Sequence, residues 1–329
     1  MRPATLRPAS PLAVWAGILV LWFVWGSTYL GIRLAVDTVP PFLMGFLRFV
    51  PAGLLLAGAI ALRNRATIRC PSRRELLDTA IVGAALLLGG MGLVAWAEQT
   101  IPSGIAALLI ALMPMWLAIF SRVLFGERLP AMATAGIGLG LVGVAVLAWP
   151  AGGVGELDPA GLLALLASPI FWSLGSLYAA RRAVLPEPAL FGAGIEMVAG
   201  GLALLLAAAL TGELTTFDVA AVTVQSWVGV LYLLFVGSLV GYTTYLWLLG
   251  VAPLPRIATY AYVNPVVAVV LGWAIVGEQL TPRTLVASAI IIAAVVLIVT
   301  ARGRAERNAN EADRMPLETE AARRAPEAA

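Results

Sequence analysis

The residues in this chain best suited to chemistry are polar side chains set inside long apolar runs. Tyr260 and Asn264 are four positions apart, so one helical turn puts a hydroxyl and an amide on the same face, where a polar ligand can meet both. Tyr242 and Tyr245, with Thr243 and Thr244 between them, offer a second surface of rings and hydroxyls. Tyr245 is the stronger choice there over Trp247, which reads as an aromatic-belt residue at a membrane interface. Trp25, Ser27, Met113, Trp116 and Trp172 extend the candidate substrate-binding set. For an isolated tryptophan within a membrane, packing is the competing reading.

Charged groups at depth are costly, so each must face a partner or a wet cavity. Arg48 and Glu196 both lie inside apolar runs. At ~1.5 Å per residue they approach opposite faces and stay roughly 10 Å apart in depth, which argues against a direct pair. Arg48 can instead pair with Glu98 or Asp37, or bind a substrate carboxylate. Glu196 is either a proton carrier or half of an ion pair with Arg181, Arg182 or Arg122, and Glu98 stands with it as a proton-coupling or ion-pair candidate. Pro114 and Pro265 fall near the middle of their runs, where each frees a carbonyl four residues back. They read as hinges lining a cavity or as packing kinks. Glu127 and Glu278, each after a glycine at the end of an apolar run, read as structural or gating groups.

Other chemistry is excluded by what the chain lacks. All 21 basic residues are arginine, so Ser-His and Ser-Lys catalysis and imidazole-based zinc sites have no residues to build them. No catalytic group, metal site or cofactor is expected, and there is no phosphate-binding P-loop pattern. The one cysteine, Cys70, allows no disulfide within the chain. The high pI of about 9.3 comes from loops and a tail rather than a basic face, so nucleic acid is not an expected partner.

The elements that must position these residues are membrane spans. A chain of 329 residues with 61% hydrophobic and 12% charged residues and a mean hydropathy of +0.94 is far from a soluble domain, where about 25% charged is typical. Windows long enough for a ~30 Å hydrocarbon core fall at 12–35, 42–62, 76–97, 103–125, 130–149, 159–180, 189–211, 226–250, 254–276 and 282–300. The first is too long for a signal-peptide core of roughly 7–15 residues and reads as a span. Arginines set the orientation: with a cytoplasmic N-terminus, eighteen of the 21 fall on the cytoplasmic side, whereas Glu98, Glu156, Asp158, Glu213 and Asp218 fall outside. Both termini are then cytoplasmic, including residues 1–11. The tail 301–329, polar and short of apolar residues, is expected to be disordered or a frayed helix.

The chain also repeats itself. At an offset of 151, Gly90, Trp96, Pro102, Pro114, Gly126, Glu127 and Leu129 match Gly241, Trp247, Pro253, Pro265, Gly277, Glu278 and Leu280. At an offset of 149, Gly26, Ser27, Tyr29 and Arg33 match Gly175, Ser176, Tyr178 and Arg182. Two units follow, 12–149 and 159–300, joined by an extracytoplasmic linker at 150–158. An odd number of spans per unit turns the second upside down, giving inverted repeats. That plan recurs in secondary transporters that work by alternating access, although a duplicated channel or scaffold would share it.

Several stretches resemble the EamA family of the drug/metabolite transporter superfamily. They are Trp25-Gly26-Ser27, Arg48-Phe49, Ala97-Glu98-Gln99 with Pro102 to Ala107 leading to Pro114, Gly126-Glu127, Gly241 to Leu248, Ala261 to Ala268, and Gly277-Glu278. The most specific is Tyr262-Val263-Asn264-Pro265-Val266. The resemblance spans residues 12–300 and implies an all-α membrane protein with ten transmembrane helices in two five-helix repeats. It also implies export of small metabolites, often amino acids. The expectation is a multi-pass secondary transporter in the cell membrane, not an enzyme. It would move a small amphipathic molecule such as an amino acid through a central cavity, with protons as a candidate coupling ion and the lipid bilayer as its surroundings. A flippase for a lipid-linked substrate, a membrane scaffold and an intramembrane enzyme are the alternatives.

Overall fold

A computed structural model describes residues 9–64, 68–127, 129–149 and 157–324. Most of the expected N-terminal segment and linker, together with Arg65 and Arg128, lie outside the described residues. Among those described, the chain is helical with no strand. Its long helices are α1 (Pro11–Ala35), α2 (Pro41–Arg63), α3 (Arg73–Ala97), α4 (Ser103–Phe125) and α5 (Ala131–Ala148). They continue as α6 (Pro159–Arg181), α7 (Ala189–Leu210), α8 (Val224–Val251), α9 (Tyr260–Val276) and α10 (Pro282–Arg324). Nine of these have the length and apolarity to cross a membrane, and α9 is a shorter apolar helix.

Local sequence explains where the helices start and stop. Pro11 sits in the first turn of α1 behind Ser10, whose hydroxyl accepts from the Ala13 amide, and Ser72 with Glu75 forms a capping box on α3, both arrangements that satisfy orphan amides. Asp158 caps α6 through the Gly161 amide at 2.8 Å. The start of α2 has no cap of its own and is served by the distant Glu213, whose carboxylate accepts from Phe42 N at 3.3 Å and Leu43 N at 2.8 Å. At the far ends of α4 and α9, Gly126 and Gly277 both take a φ of 69°. The next amide then reaches back, Glu127 N to Ser121 O and Glu278 N to Gly272 O, which is the Schellman closure and needs the left-handed glycine.

The breaks lie ahead of the prolines rather than at them. α4 is interrupted at Ala111–Leu112, and Pro114 opens its second half, Met113–Phe125. Before α9 a short turn of helix, Leu254–Ile257, is followed by the turn Ala258–Thr259. Pro265 then lies inside α9 close to its start. Pro114 thus sits in the first turn of its half-helix, where the amide it lacks has no intrahelical role, whereas Pro265, six residues into α9, leaves the Ala261 carbonyl without its usual donor. α3 and α8 share another irregularity, a π-helical stretch at Ala84–Gly92 and Leu233–Val240.

Packing follows the repeat. α2 lies against α7 and α5 against α10, each helix meeting its counterpart in the other half, and α4 meets α9. The contacts of α1 with α8 and α9 are mirrored by those of α6 with α3 and α4. Exchange of the two halves therefore maps these contacts onto themselves. One departure matters: α4 also packs on α1, whereas α9 has no comparable packing on α6. The principal core joins Ile32, Ala106, Leu108, Met115, Leu165 and Ile291, all fully or nearly fully buried.

The last helix does not stop near 300. α10 runs on to Arg324, where the expectation was either disorder or a frayed helix. Ala, Glu and Arg dominate that stretch, and all three are strong helix formers.

Candidate functional site

α1, α8 and α9 converge on an aromatic cluster. The Trp25 ring lies 5.2 Å from Tyr245 and 5.0 Å, edge-on, from Tyr260, with Tyr245 and Tyr260 6.3 Å apart. Tyr242 extends the group at 6.4 Å from Tyr245. Edge-to-face geometry at these spacings suits the ring quadrupoles. The three tyrosines are half-buried, and among the described residues their hydroxyls have no hydrogen-bond partner. Their hydrogen-bonding capacity is thus available to a ligand or to water.

Trp25 is seated by Gly241, where a Cβ would come within 2.5 Å of the indole nitrogen. The other half repeats the device: Trp172 of α6 rests on Gly90 of α3, where a Cβ would lie 2.6 Å from the ring. Nearby, Ser168 donates to the Gly90 carbonyl at 3.0 Å and Ser173 to that of Met113 at 3.4 Å. Trp116 stacks on Phe120 at 5.8 Å. Met113, Trp116 and Trp172 therefore belong to the α3–α4–α6 side of the bundle and not to the tyrosine cluster.

Asn264 is 8% exposed, and its amide is already engaged. Oriented to donate, its nitrogen lies 3.2 Å from both the Trp22 and Tyr260 carbonyls, and an amide's orientation is assigned from such partners. Trp22 reinforces the joint by donating its ring N–H to Thr259 Oγ1 at 3.1 Å. Asn264 thus ties α9 to α1. Ser27 is engaged as well, 2.5 Å from the Tyr232 hydroxyl.

Arg48 is 5% exposed and forms no ion pair among the described residues, so neither Glu98 nor Asp37 is its partner. Its Nε donates to Ser238 Oγ at 2.9 Å, and its guanidinium lies 4.5 Å over the Phe49 ring. Ser238 in turn donates to Leu233 O at 3.0 Å, five residues back, a spacing that belongs to the π-helical stretch. The irregular helix thereby aims a hydroxyl at the arginine, the sort of use such stretches often serve. Sequence reasoning missed Ser238, whose only signal was a hydroxyl one turn before Tyr242. Glu196 of α7 is likewise without an ion pair among the described residues and lies in electrostatic range of Tyr242. Its expected partner Arg181 pairs instead with Glu127 and also covers the Phe125 ring at 4.9 Å.

The two Gly-Glu corners do different things. Glu278 reaches across the repeat boundary to the start of α4, accepting from Ser103 N and Ser103 Oγ at 2.7 Å each and from Gly104 N at 3.1 Å. Glu127 joins the exposed pair with Arg181. Beside the Glu278 cap, Glu98 is fully buried and, among the described residues, has no partner for either carboxylate oxygen. Burial, and then the Glu278 charge, push its carboxyl well above the usual range, against the opposing effect of Arg33. Arg33 itself donates to the backbone, at Glu98 O (2.6 Å) and Gln99 O (3.0 Å). A pocket of about 400 Å³ opens at this end, lined by Asp37, Phe42, Trp96, Gln99, Thr211 and Glu213 among others. Among the described residues no group of three or more His, Cys, Asp or Glu side chains is placed to hold a metal ion.

Comparison with known proteins places this arrangement. The model of the EamA-like transporter family matches twice, at residues 13–149 and 159–300. The Escherichia coli inner membrane transporter YedA is 39% identical over 87% of this chain and 90% of its own. A probable terminal-alkyne amino-acid exporter of Streptantibioticus cattleyicolor is 31% identical over 87% of this chain and 93% of its own. A probable amino-acid metabolite efflux pump of Salmonella typhimurium is 27% identical over 85% of this chain and 93% of its own. A crystal structure 25% identical to this chain superposes with a TM-score of 0.58, covering 89% of this chain and 99% of that one. The chain belongs to the EamA-like transporter family and is a multi-pass membrane transporter.

Proposed function

We propose that this transporter exports a small amphipathic metabolite, an amino acid being the leading class, by alternating access through a central cavity between inverted repeats. The observation that carries the reading is the set of three unpartnered tyrosine hydroxyls grouped on Trp25. Rings to cover an apolar side chain and hydroxyls to meet a polar head group suit an amphipathic solute. Arg48, buried without a carboxylate partner, suits the anionic end of such a solute. Two relatives named for amino-acid export support the substrate class. In this reading α9 and its preceding turn complete a tenth span, both termini are cytoplasmic, and the protein lies in the cell membrane.

Alternating access is supported by the exchange symmetry of the packing and by its one departure. The bundle is tied shut where Glu278 meets α4, and less closely packed where α9 stands away from α6. With an orientation set by arginine, the closed end faces outward and the open end faces the cytoplasm. The test is counterflow in proteoliposomes holding the purified protein, screened over amino acids and related amphipathic solutes with and without a pH gradient. Accumulation of at least one amino acid above protein-free vesicles is expected, reduced several-fold in Tyr245→Phe through a higher KM. No accumulation of any amino acid, with a well-folded protein, would overturn the substrate class.

A further inference from the structure

The buried carboxyl of Glu98 has no task in the substrate site, and its surroundings give it one. It caps the end of α3 with 0% exposure, and among the described residues neither oxygen has a hydrogen-bond partner. An ionised carboxylate in that setting would forfeit its hydration without replacement, which costs far more than keeping the proton. The groups facing it are few. α1 supplies Tyr29 and Arg33, and Arg33 spends its Nη1 on the Glu98 and Gln99 carbonyls. The α9–α10 corner supplies Glu278, and α4 supplies the uncharged Ser103. At the start of α6 stands Asp158, held by Thr100 Oγ1 at 3.1 Å and Gly161 N at 2.8 Å. No charged group of α2 acts on Glu98.

Glu278 is the informative neighbour. Its carboxylate takes three hydrogen bonds from the start of α4, where the helix dipole also favours negative charge. Gly272 makes room for it, since a Cβ there would collide with the Glu278 carboxylate. The clasp holds α4 to α9 at one end of the bundle, and a second negative charge beside it works against it. Trp96 and Gln99, on either side of Glu98 in sequence, line the pocket that opens at this end, giving water a short route to the site.

We propose that Glu98 is a proton-binding site of this transporter and that its occupancy governs the clasp. A proton on Glu98 lets the Glu278 carboxylate stay on Ser103 and Gly104; its loss to water sets two carboxylates against each other and releases α4 from α9. No other bond changes. Combined with the transport reading on which it rests, this makes the proton the coupling ion: a proton taken up at the open outer mouth permits closure there.

The test places a reporter under the clasp. Ala268 is fully buried and lies one turn from Gly272 on the same face of α9. In the full-length Cys70→Ser/Ala268→Cys protein, with every labelling rate divided by that of the unfolded protein at the same pH so that thiol ionisation cancels, the rate of maleimide labelling should climb with pH, by up to about tenfold per pH unit for one titrating group. Adding Glu98→Gln should flatten that dependence at the low rate, and adding Glu278→Gln should give the high rate at every pH. A Glu98→Gln protein that still labels faster as pH rises would overturn the proposal, as would slow, pH-independent labelling of Glu278→Gln. Flux measured with Ala268 intact gives an independent reading: Glu98→Gln should lose its stimulation by an imposed pH gradient. Gradient-stimulated flux in that variant would remove Glu98 as the site and leave the transport reading standing. Glu98-dependent labelling with no flux of any solute would uphold the site and remove the transport reading.

Discussion

At the scale of single residues, the structure separates side chains that hold the fold from those free to meet a ligand. Tyr260 and Asn264 share a helical face, as their spacing requires, yet the amide is used between Trp22 and Tyr260 carbonyls while the tyrosine hydroxyl stays unpartnered. Asn264→Leu should therefore lower the thermal midpoint in detergent, because the two hydrogen bonds that its amide gives to the Trp22 and Tyr260 carbonyls are lost, at about 0.5–1.5 kcal/mol each. Tyr245→Phe should leave the midpoint within error and raise KM. Equal midpoints for the two variants, read by a thermal-shift assay, would return Asn264 to the ligand-binding set. Polar residue types and the four-residue spacing were readable in the sequence. Which of two neighbouring polar groups was already satisfied was not, because that depends on a carbonyl from a helix some 240 positions away in the chain.

At the scale of helices, hydropathy located the apolar runs because burial in lipid imposes one composition on every residue of a span. It did not locate the interruptions, since a proline sets a local cost and the surrounding packing decides where the chain breaks. The α2–α7 contact shows how close that packing is. A Cβ on Gly194 would lie 2.7 Å from Ala57 N and 2.8 Å from Gly53 O, so Gly194→Val must push the helices apart. Overpacking of this kind costs roughly 1–3 kcal/mol, and a clear drop in thermal midpoint is expected. Arg181→Gln offers the contrast. Its pair with Glu127 has side chains 48% and 37% exposed, and exposed pairs are worth about 0–1 kcal/mol. A midpoint falling as far in Arg181→Gln as in Gly194→Val would show that the Glu127 corner carries more than an exposed ion pair.

At the scale of the molecule, the repeat was legible from a handful of matched Gly, Pro, Trp and Glu positions, and the packing keeps the symmetry those matches imply. The difference between the two Gly-Glu corners was not anticipated, since each corner reads identically until its partner is known. Orientation has a direct check in Cys70, the one cysteine of the chain and exposed. A membrane-impermeant maleimide should leave Cys70 untouched in intact spheroplasts and modify it after permeabilisation. Modification in sealed spheroplasts would invert the arrangement and exchange the outer and inner mouths.

The Glu278 corner has one more consequence. Its three donors come from Ser103 and Gly104, and their counterparts at an offset of 151 are Leu254 and Pro255, which offer no hydroxyl and, at the proline, no amide. Glu127 therefore has nothing equivalent to grasp, and the two halves of a duplicated protein cannot be closed at equal cost. In an alternating-access cycle the resting population then gathers in the state shut at the Glu278 end. A solute arriving from the Glu127 side meets mostly competent molecules, whereas the same solute from the opposite side binds with an affinity discounted by the small fraction open to it. Substitutions that drifted into one copy after duplication would thus give a symmetric scaffold a preferred direction of approach.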